Sequence, residues 1–384
     1  MANTKSNAKS DAKAATLGNV PSVTVGQAVE KLARMYGSVI GAGAAADIGV
    51  LPSVMLWGPP GVGKSQGVRQ VGEWIGTATG KTVHVTDVRL LLFNPIDLRG
   101  IPTASEDKTL AVWLRPQIFD MDPSEDIVNI LFLDEISAAP PSVQAAAYQI
   151  ALDRTVGEHK LPDNCIIIAA GNRVTDKSVA YKMPKALANR LLHLEVYADL
   201  QSWRAWAVER GVNEKVTGFL SFRPNLLMQF EPTRDDLAFP TPRAWEMVSN
   251  LLNHVSDDIG EMFTLIAGLV GSGTAAELRT WSRVYEKLPD VEGIFAGTEH
   301  TVPKGTDVLY ALVSSMAKYA SAHRNDMEAI ACSIRYAEKL PADFSVVLMQ
   351  DYLNLEKDYQ KKLMMLPEFV KWMRTKGALL NGVM

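Results

Sequence analysis

The sequence predicts an α/β domain with a parallel β-sheet, followed by a region made only of helices. Between residues 53 and 170, short apolar runs alternate with longer segments of helical periodicity, which is the pattern of parallel strands joined by crossover helices. Strand signals stop after Asp199, and from Asp257 onward the apolar spacing is helical. Hydrophobic residues make up 47% of the chain and charged residues 21%, as in folded globular proteins.

The predicted strands span residues 53–57, 82–86, 130–133 and 165–170, each bounded by polar or turn residues. Because parallel sheets carry helices on both faces, we expect these strands to be buried on both sides. Ahead of them, the apolar spacing predicts a helix up to about Tyr36 and then a small, Gly-rich loop up to Gly49. One apolar face in the helical region is traced by Leu309, Leu312, Val313, Met316, Tyr319 and Ala320.

With 384 residues, the chain is long enough for about two or three domains. Residues 1–19 are mostly Ala, Lys, Ser and Asn, with little to bury, and are predicted to be a disordered tail. The predicted α/β domain spans 20–198, a smaller helical domain 199–254, and a C-terminal helical extension 255–384. The aromatic residues of the extension fit either core packing or a docking surface, and the sequence leaves both open.

The charge balance and the cysteines exclude several classes of protein. Lys and Arg number 39 against 43 Asp and Glu, so the net charge of −4 supplies no overall basic field for nucleic acid or an anionic membrane. Cys165 and Cys332 lie far apart and outside any CxxC pair, and the histidines show no metal-ligand spacing. No run reaches about 18 apolar residues, and the N-terminus lacks a secretory apolar region. We therefore expect a cytoplasmic protein that does not enter membranes.

A phosphate-binding loop is predicted between the first strand and the next helix. The motif GxxxxGK[ST] is matched by Gly58, Pro59, Pro60, Gly61, Val62, Gly63, Lys64 and Ser65. Its glycines let backbone N–H groups surround the phosphates of ATP, Lys64 would contact the β and γ phosphates, and Ser65 would bind Mg²⁺. An ordinary Gly-rich turn is the alternative, and the strand and helix on either side argue against it.

Polar residues follow two further strands. The run NILFLDE ends in Asp134, which a parallel sheet would bring to the magnesium ion, and in Glu135, which could polarise the attacking water. The run CIIIAAGN ends in Asn172, which could hold that water; the alternative is an Asn that merely forms a turn. The order of these motifs after the phosphate-binding loop favours the catalytic interpretation.

Together these motifs resemble the AAA+ ATPase superfamily, and within it the MoxR family and its relatives, the rubisco-activating and nitric-oxide-reductase-maturing ATPases. The resemblance covers residues 25 to about 254 well and the rest more loosely. It implies a P-loop NTPase core of AAA+ type followed by an all-α lid over 199–254, and hydrolysis of ATP with Mg²⁺ as cofactor. By this resemblance, GPPGVGKS is the Walker A loop, LFLDE the Walker B strand and Asn172 sensor one.

The same resemblance implies roles for two arginines. The stretch MPKALANR is similar to a family helix that ends in Asp-Arg-Phe, whose arginine reaches the γ phosphate in the neighbouring subunit, so Arg190 becomes the catalytic finger. Asn189 and Leu191 depart from that pattern, and an Arg that complements a helix dipole is the alternative. The stretch FPTPR is similar to sensor two, so Arg243 would contact the nucleotide of its own subunit; otherwise Arg243 is a surface residue in a first helical turn.

Two insertions resemble those of the helix-two-insert group. Residues 94–116 are similar to a hairpin inserted in helix two, which in related rings faces the pore or the substrate. Residues 155–162 are similar to a second hairpin, which precedes sensor one. For its polar tip residues, His159 and Lys160, a solvated turn and a substrate contact are both open.

The resemblance also implies partners. A finger that acts across a subunit boundary requires a homo-oligomeric ring, most often a hexamer. The expected function is that of a remodelling chaperone that matures or activates a client enzyme, together with a von Willebrand factor A domain protein. The alternatives are a nucleic-acid motor or restriction-type NTPase subunit, a nucleotide-dependent scaffold, and a magnesium-chelatase-type subunit. The acidic charge balance argues against nucleic acid, and the presence of Glu135 and Asn172 argues against a scaffold.

Overall fold

The computed structural model describes residues 17–41, 48–176, 181, 183–356 and 359–380. Most of the predicted tail and residues 42–47 of the predicted Gly-rich loop lie outside these residues. The chain forms two compact units. The first contains the residues up to Pro60 and Lys64–Tyr197, and the second contains Gly61–Gly63 and the residues from Ala198 onward.

The first unit alternates strands with helices. Its elements are β1 (Ser22–Thr24), α1 (Val25–Ile40), β2 (Val54–Trp57), α2 (Lys64–Thr79), β3 (Thr82–Arg89), α3 (Pro95–Arg99), β4 (Ile101–Ala104), β5 (Ala111–Leu114), β6 (Ile127–Asp134), α4 (Pro141–Asp153), β7 (Thr155–Val156), β8 (His159–Lys160), β9 (Cys165–Gly171), α5 (Lys185–Ala188) and β10 (Leu192–Tyr197).

Six of these strands form a parallel sheet in the order β1-β10-β2-β9-β6-β3. Strand β9 is buried along its whole length, and β6 is buried except at its two ends. Both strands lie inside the sheet. They are buried because helices cover both faces of a parallel sheet. The order brings the carboxyl ends of β2, β6 and β9, where the three motifs lie, to one edge of the sheet. The predicted fold class is confirmed.

The four predicted strands are present, and the structure adds two at the side of β2. Strand β10 pairs with β2 from Leu192 opposite Val54, and the three-residue β1 pairs with β10. Strand β3 also continues to Arg89, beyond the predicted end. The first helix continues to Ile40, past the predicted start of the loop.

The two insertions are β-hairpins that pack against each other. β4 pairs antiparallel with β5, and β7 with β8. A ring nitrogen of His159 lies 2.7 Å from the carbonyl oxygen of Trp113, so this half-buried side chain is bonded to the first hairpin. A Cβ on Gly157 would lie 2.6 Å from the carbonyl oxygen of Arg99. A fully solvated turn therefore does not describe His159, whereas Lys160 is exposed.

The second unit is helical in its described part. Its helices are α6 (Leu200–Glu209), α7 (Glu214–Phe222), α8 (Pro242–His254), α9 (Phe263–Val270), α10 (Ser272–Ser282), α11 (Val291–Ala296), α12 (Thr306–Ala322), α13 (Met327–Ala337), α14 (Ala342–Leu353), α15 (Tyr359–Met364) and α16 (Pro367–Leu380). Throughout the chain, no described helix has the length and apolar character needed to cross a bilayer.

Two apolar cores hold the helical unit together. One surrounds Phe219 and Trp245 and includes side chains from α6 to α10 and the start of α12. The other surrounds Tyr352 and Trp372 and includes side chains from α11 to α16. The predicted apolar face of α12 is buried, with Tyr319 partly so. The predicted boundary between the lid and the extension, at residue 254, stays a prediction.

A buried ion pair also joins helices of this unit. Arg204 on α6 binds Asp351 on α14 with Nε–Oδ1 and Nη2–Oδ2 distances of 2.9 and 2.6 Å. Its guanidinium also donates to Ser221 and Ser314, from α7 and α12. Burial raises the pKa of Asp351, and the charge of Arg204 opposes that rise. The pair therefore makes the stability of four helices depend on one cation.

Candidate nucleotide site

The predicted phosphate-binding loop turns at two of its glycines. Gly61 and Gly63 have φ angles of +75° and +110°, a region that residues with a Cβ avoid. Such a turn, followed at once by the first residue of α2, directs backbone N–H groups at one point and suits a phosphate. Val62 is buried and anchors the loop, and Pro59 and Pro60 are half-buried.

The ammonium group of Lys64 is fixed by hydrogen bonds to backbone and side-chain oxygens. Only 9% of the residue is exposed. Its Nζ donates to the carbonyl oxygens of Gly58 and Pro59, at 2.7 and 3.1 Å, and to Oδ1 of Asn172 at 3.0 Å. These contacts hold the ammonium group beside the loop, where it can bind an anionic ligand. The contact with Asn172 joins the first motif to the third.

Ser65 and Asp134 join the first motif to the second. The hydroxyl of Ser65 donates to Oδ2 of Asp134 at 2.8 Å. Hydroxyl and carboxylate oxygens are the ligands that Mg²⁺ prefers, so this pair fits the magnesium role that the sequence predicts for it. The cation would neutralise phosphate charge when bound with ATP.

Glu135 occupies a backbone conformation that is rare for residues with a side chain. Its φ angle is +58°, and its backbone N–H donates to Oδ1 of Asp134 at 2.8 Å. Its carbonyl oxygen accepts from the N–H groups of Ala138 and Ala139, at 3.0 and 3.2 Å, which holds this turn. The side chain is exposed beyond the end of β6. An exposed carboxylate next to the aspartate that is predicted to bind Mg²⁺ fits the predicted role of accepting a proton from water.

The end of β9 fixes Asn172. The hydroxyl of Ser137 accepts from the Asn172 backbone N–H at 2.9 Å. The residue before it must be small, because a Cβ on Gly171 would lie 2.8 Å from Oγ of Ser137 and 2.9 Å from Met55. The Gly171 carbonyl oxygen also accepts from Gly58 at 3.3 Å. Asn172 is therefore a positioned side chain rather than a free turn residue.

No hydrogen bond among the described residues joins the side chain of either predicted arginine to this cluster. Arg190 is exposed in the turn after α5. Arg243 lies in the first turn of α8, which is capped by Thr241, and its side chain is exposed. Within the second unit, the Arg243 backbone N–H donates to the carbonyl oxygen of Gly61 at 3.3 Å. The finger and sensor-two roles stay predictions.

One acidic residue near the site was not predicted from the sequence. Asp87 lies on β3 beyond the predicted end of that strand, and burial together with the charge of Asp134 raises its pKa. Its Oδ2 accepts from Arg69 at 3.4 Å, while its buried Oδ1 has no hydrogen-bond partner in the described part of the chain. Only the pairing of β3 with β6 reveals this neighbour, because Asp87 belongs to none of the motifs.

The sheet order and the helices between its strands define a P-loop fold of AAA+ architecture. Residues 53–193 match the model of a family described as the ATPase family associated with various cellular activities, AAA. The match contains all three motifs and both inserted hairpins, and it covers less than half of the chain. The comparison with curated proteins found no match.

Solved structures of low identity match parts of the chain. PCH-2 from C. elegans is 14% identical, with 68% of each chain covered and a TM-score of 0.34. A chain of the HORMA:CdnC:Trip13 complex from E. coli MS115-1 is 14% identical, with 67% of this chain and 88% of that one covered and a TM-score of 0.35. The Thermotoga maritima RuvB Holliday junction branch migration motor is 15% identical, with 76% and 81% covered and a TM-score of 0.30.

Proposed function

We propose that this chain is an ATP-hydrolysing remodelling protein of the MoxR type, which works as a ring, most often of six subunits, on a protein partner. In this proposal, a von Willebrand factor A domain protein or a client enzyme is that partner. The observation that supports the ATPase activity in this proposal is the contact of Lys64 with Asn172 and of Ser65 with Asp134. These two contacts bring the Walker A, Walker B and sensor-one motifs together as an ATPase requires.

In the proposed reaction, each residue has a separate task. Lys64 and the loop amides bind the phosphates of ATP, and Ser65 and Asp134 hold the magnesium ion. Glu135 takes a proton from the water that attacks the γ phosphate, and Asn172 orients that water. Arg190 of one subunit would stabilise the charge that develops at the neighbour's γ phosphate, and its exposed location supports that role.

The first hairpin favours a polypeptide over a nucleic acid as the substrate. It exposes the aliphatic side chains of Ile101, Leu110 and Leu114, which are 60%, 68% and 57% exposed. Its tip carries Asp107, whose pKa is lowered to about 2 by hydrogen bonds from Ser105 and Thr109, so it is ionised at neutral pH. Exposed aliphatic side chains of this kind suit an apolar peptide better than a phosphate backbone.

The test uses a variant that binds ATP without hydrolysing it. Tagged Glu135→Gln is held with ATP and Mg²⁺, and the bound molecules are identified by mass spectrometry and nuclease digestion, with Lys64→Ala as the matched control. Recovery of a von Willebrand-type protein or a metalloenzyme with Glu135→Gln alone supports the proposal. Recovery of nucleic acid, with an affinity that falls steeply as salt rises, would make the chain a motor instead. Wild-type protein that releases no phosphate from ATP in the presence of Mg²⁺ would refute the ATPase itself.

A further inference from the structure

Both ring nitrogens of His193, at the start of β10, are engaged. Nε1 of Trp57 donates to Nδ1 of His193 at 2.9 Å, and Nε2 of His193 lies 2.7 Å from the carbonyl oxygen of Ala188. A tryptophan indole can only donate, so Nδ1 must accept and must carry no proton. With Nδ1 accepting, Nε2 is the ring nitrogen that donates to the carbonyl oxygen of Ala188.

The carbonyl group that His193 binds closes the turn that contains Arg190. The backbone N–H of Leu191 donates to the same Ala188 oxygen at 3.3 Å. Arg190 lies directly before Leu191 and is therefore inside the turn. Since α5 has only four residues, the turn has little helical support of its own. The imidazole N–H adds a hydrogen bond that fixes this carbonyl and, with it, the direction in which Arg190 leaves the backbone.

The other side of the imidazole leads to the phosphate-binding loop. Trp57 is the last residue of β2 and directly precedes Gly58, whose carbonyl oxygen binds Lys64. The ring planes of Trp57 and His193 are nearly parallel, 18° apart, with centroids 6.1 Å apart, as expected for two rings joined edge to edge by this hydrogen bond. One imidazole thus joins the start of the nucleotide loop to the turn that presents Arg190.

We propose that His193 is a positioning residue for Arg190 and that it couples the phosphate-binding loop of one subunit to the arginine that this subunit offers to its neighbour. The inference rests on the proposed function, because it requires ATP hydrolysis and a finger that acts in trans. It predicts a defect with an unusual property: the subunit that carries the change should retain a sound nucleotide site, and the neighbour that receives its Arg190 should lose turnover.

The first test is steady-state ATP hydrolysis. His193→Phe keeps an aromatic ring but neither hydrogen bond, and it should lower kcat about tenfold or more while KM for ATP stays within about twofold, because a misdirected group costs rate rather than binding. His193→Gln keeps a donor for Ala188 and should recover part of kcat. His84→Gln, at an exposed histidine of the same unit, is the matched control and should retain wild-type kcat.

The second test mixes subunits. Lys64→Ala subunits lack a working nucleotide site and keep their Arg190 turn, so adding them to His193→Phe subunits should restore turnover per His193→Phe site. The same addition should rescue Arg190→Ala, whereas it should not rescue Glu135→Gln. Trp57→Phe removes the indole N–H that donates to His193. It should lower kcat less than His193→Phe does, and Lys64→Ala subunits should rescue it in the same way. If His193→Phe does not fold, Trp57→Phe tests the inference in its place.

The results separate the inference from the function it rests on. If Arg190→Ala lowers kcat and His193→Phe does not, or if His193→Phe raises KM and is not rescued in mixtures, the inference is overturned while the ATPase stands. If Arg190→Ala hydrolyses ATP at the wild-type rate, the finger assignment is wrong and the inference falls with it. A wild-type protein without ATP hydrolysis overturns the proposed function.

Discussion

At the scale of single residues, the site depends on a strained backbone at Glu135. A left-handed conformation costs a residue with a Cβ about 1–2 kcal/mol, and two N–H groups on the Glu135 carbonyl help to hold it. Strain of this kind persists where the surrounding structure determines it, and it often accompanies function. Glu135 is exposed after the end of β6, while Asp134 accepts a hydrogen bond from Ser65. The two adjacent carboxylates therefore have different surroundings, as their different predicted roles require.

The Glu135→Gln variant should separate binding from hydrolysis. Removing the base should lower kcat by about 10²–10⁴-fold, while the phosphate cradle and thermal stability stay intact. Phosphate release and the ATP-induced rise in Tm measure the two properties. Glu125→Gln, at an exposed glutamate of the same unit, is the control and should match the wild type. Turnover of Glu135→Gln at the control rate would show that Glu135 is not the base.

Lys64→Ala should abolish nucleotide binding. The variant loses the ammonium group that the loop carbonyls and Asn172 hold in position. A ligand that binds only the folded state raises Tm, so ATP with Mg²⁺ should stabilise the wild type and leave Lys64→Ala unchanged in a thermal-shift measurement. An equal rise in Tm for both proteins would disprove the assignment of the loop.

Residues with roles in contiguous motifs could be predicted from the sequence, and residues with roles that arise from strand register could not. Lys64 and Asp134 belong to motifs that name their own chemistry. His193 and Asp87 carry no such pattern. His193 is informative because β10 lies beside β2, and Asp87 because β3 lies beside β6. Only the sheet order brings these side chains to their partners.

At the scale of elements, strand length decided what could be predicted. The buried runs Ile130–Leu133 of β6 and Cys165–Ala170 of β9 are continuous and apolar, so composition alone marks them. Strand β1 has three residues, too few for periodicity to register. Strand β10 follows a helix of four residues, and its sequence LHLEVY alternates apolar with polar residues instead of forming a continuous apolar run. The criterion that marks β6 and β9 therefore misses it.

The junction of the two hairpins should be sensitive to one methyl group. Gly157→Ala places a Cβ 2.6 Å from the Arg99 carbonyl oxygen, in a residue with φ of +58°. Gly80→Ala is the matched control, because Gly80 also has a positive φ, +72°, but no atom lies within 4 Å of its Cβ position. Both changes should cost about 1–2 kcal/mol of backbone strain.

The overlap at Gly157 should add about 1–3 kcal/mol to the loss of stability. Urea midpoints followed by circular dichroism measure the two variants against the wild type. Equal midpoints for Gly157→Ala and Gly80→Ala would mean that the hairpins do not press on each other at this residue.

At the scale of the whole molecule, one buried cation joins four helices of the helical unit. Arg204→Met leaves the Asp351 carboxylate buried without its partner, and loss of one member of a buried pair costs about 3–5 kcal/mol. The double variant Arg204→Met with Asp351→Leu should recover much of that loss, because it removes both charges. Urea unfolding of the three proteins gives the comparison. A double variant no more stable than Arg204→Met would contradict the role of the ion pair.

The stability lost in the Arg204→Met variant should depend on pH in a defined direction. Burial raises the pKa of Asp351, and removing Arg204 removes the charge that opposes the rise. A carboxyl group whose pKa is higher in the folded than in the unfolded state loses stability as pH rises through that interval. The deficit of Arg204→Met should therefore be larger at about pH 8 than at about pH 5.5, as urea midpoints at both values would show. A deficit that grows toward acid pH would refute this.

The contact between the two hairpins also limits how a new substrate specificity could be engineered by exchanging hairpins. The Trp113 carbonyl group belongs to one hairpin and its bonding partner, His159, to the other, while Gly157 leaves room for the backbone at Arg99. A graft of one hairpin from a different protein would bring an unmatched surface to this junction. Transplants should therefore succeed when both hairpins come from the same donor, so the pair is the exchangeable cassette.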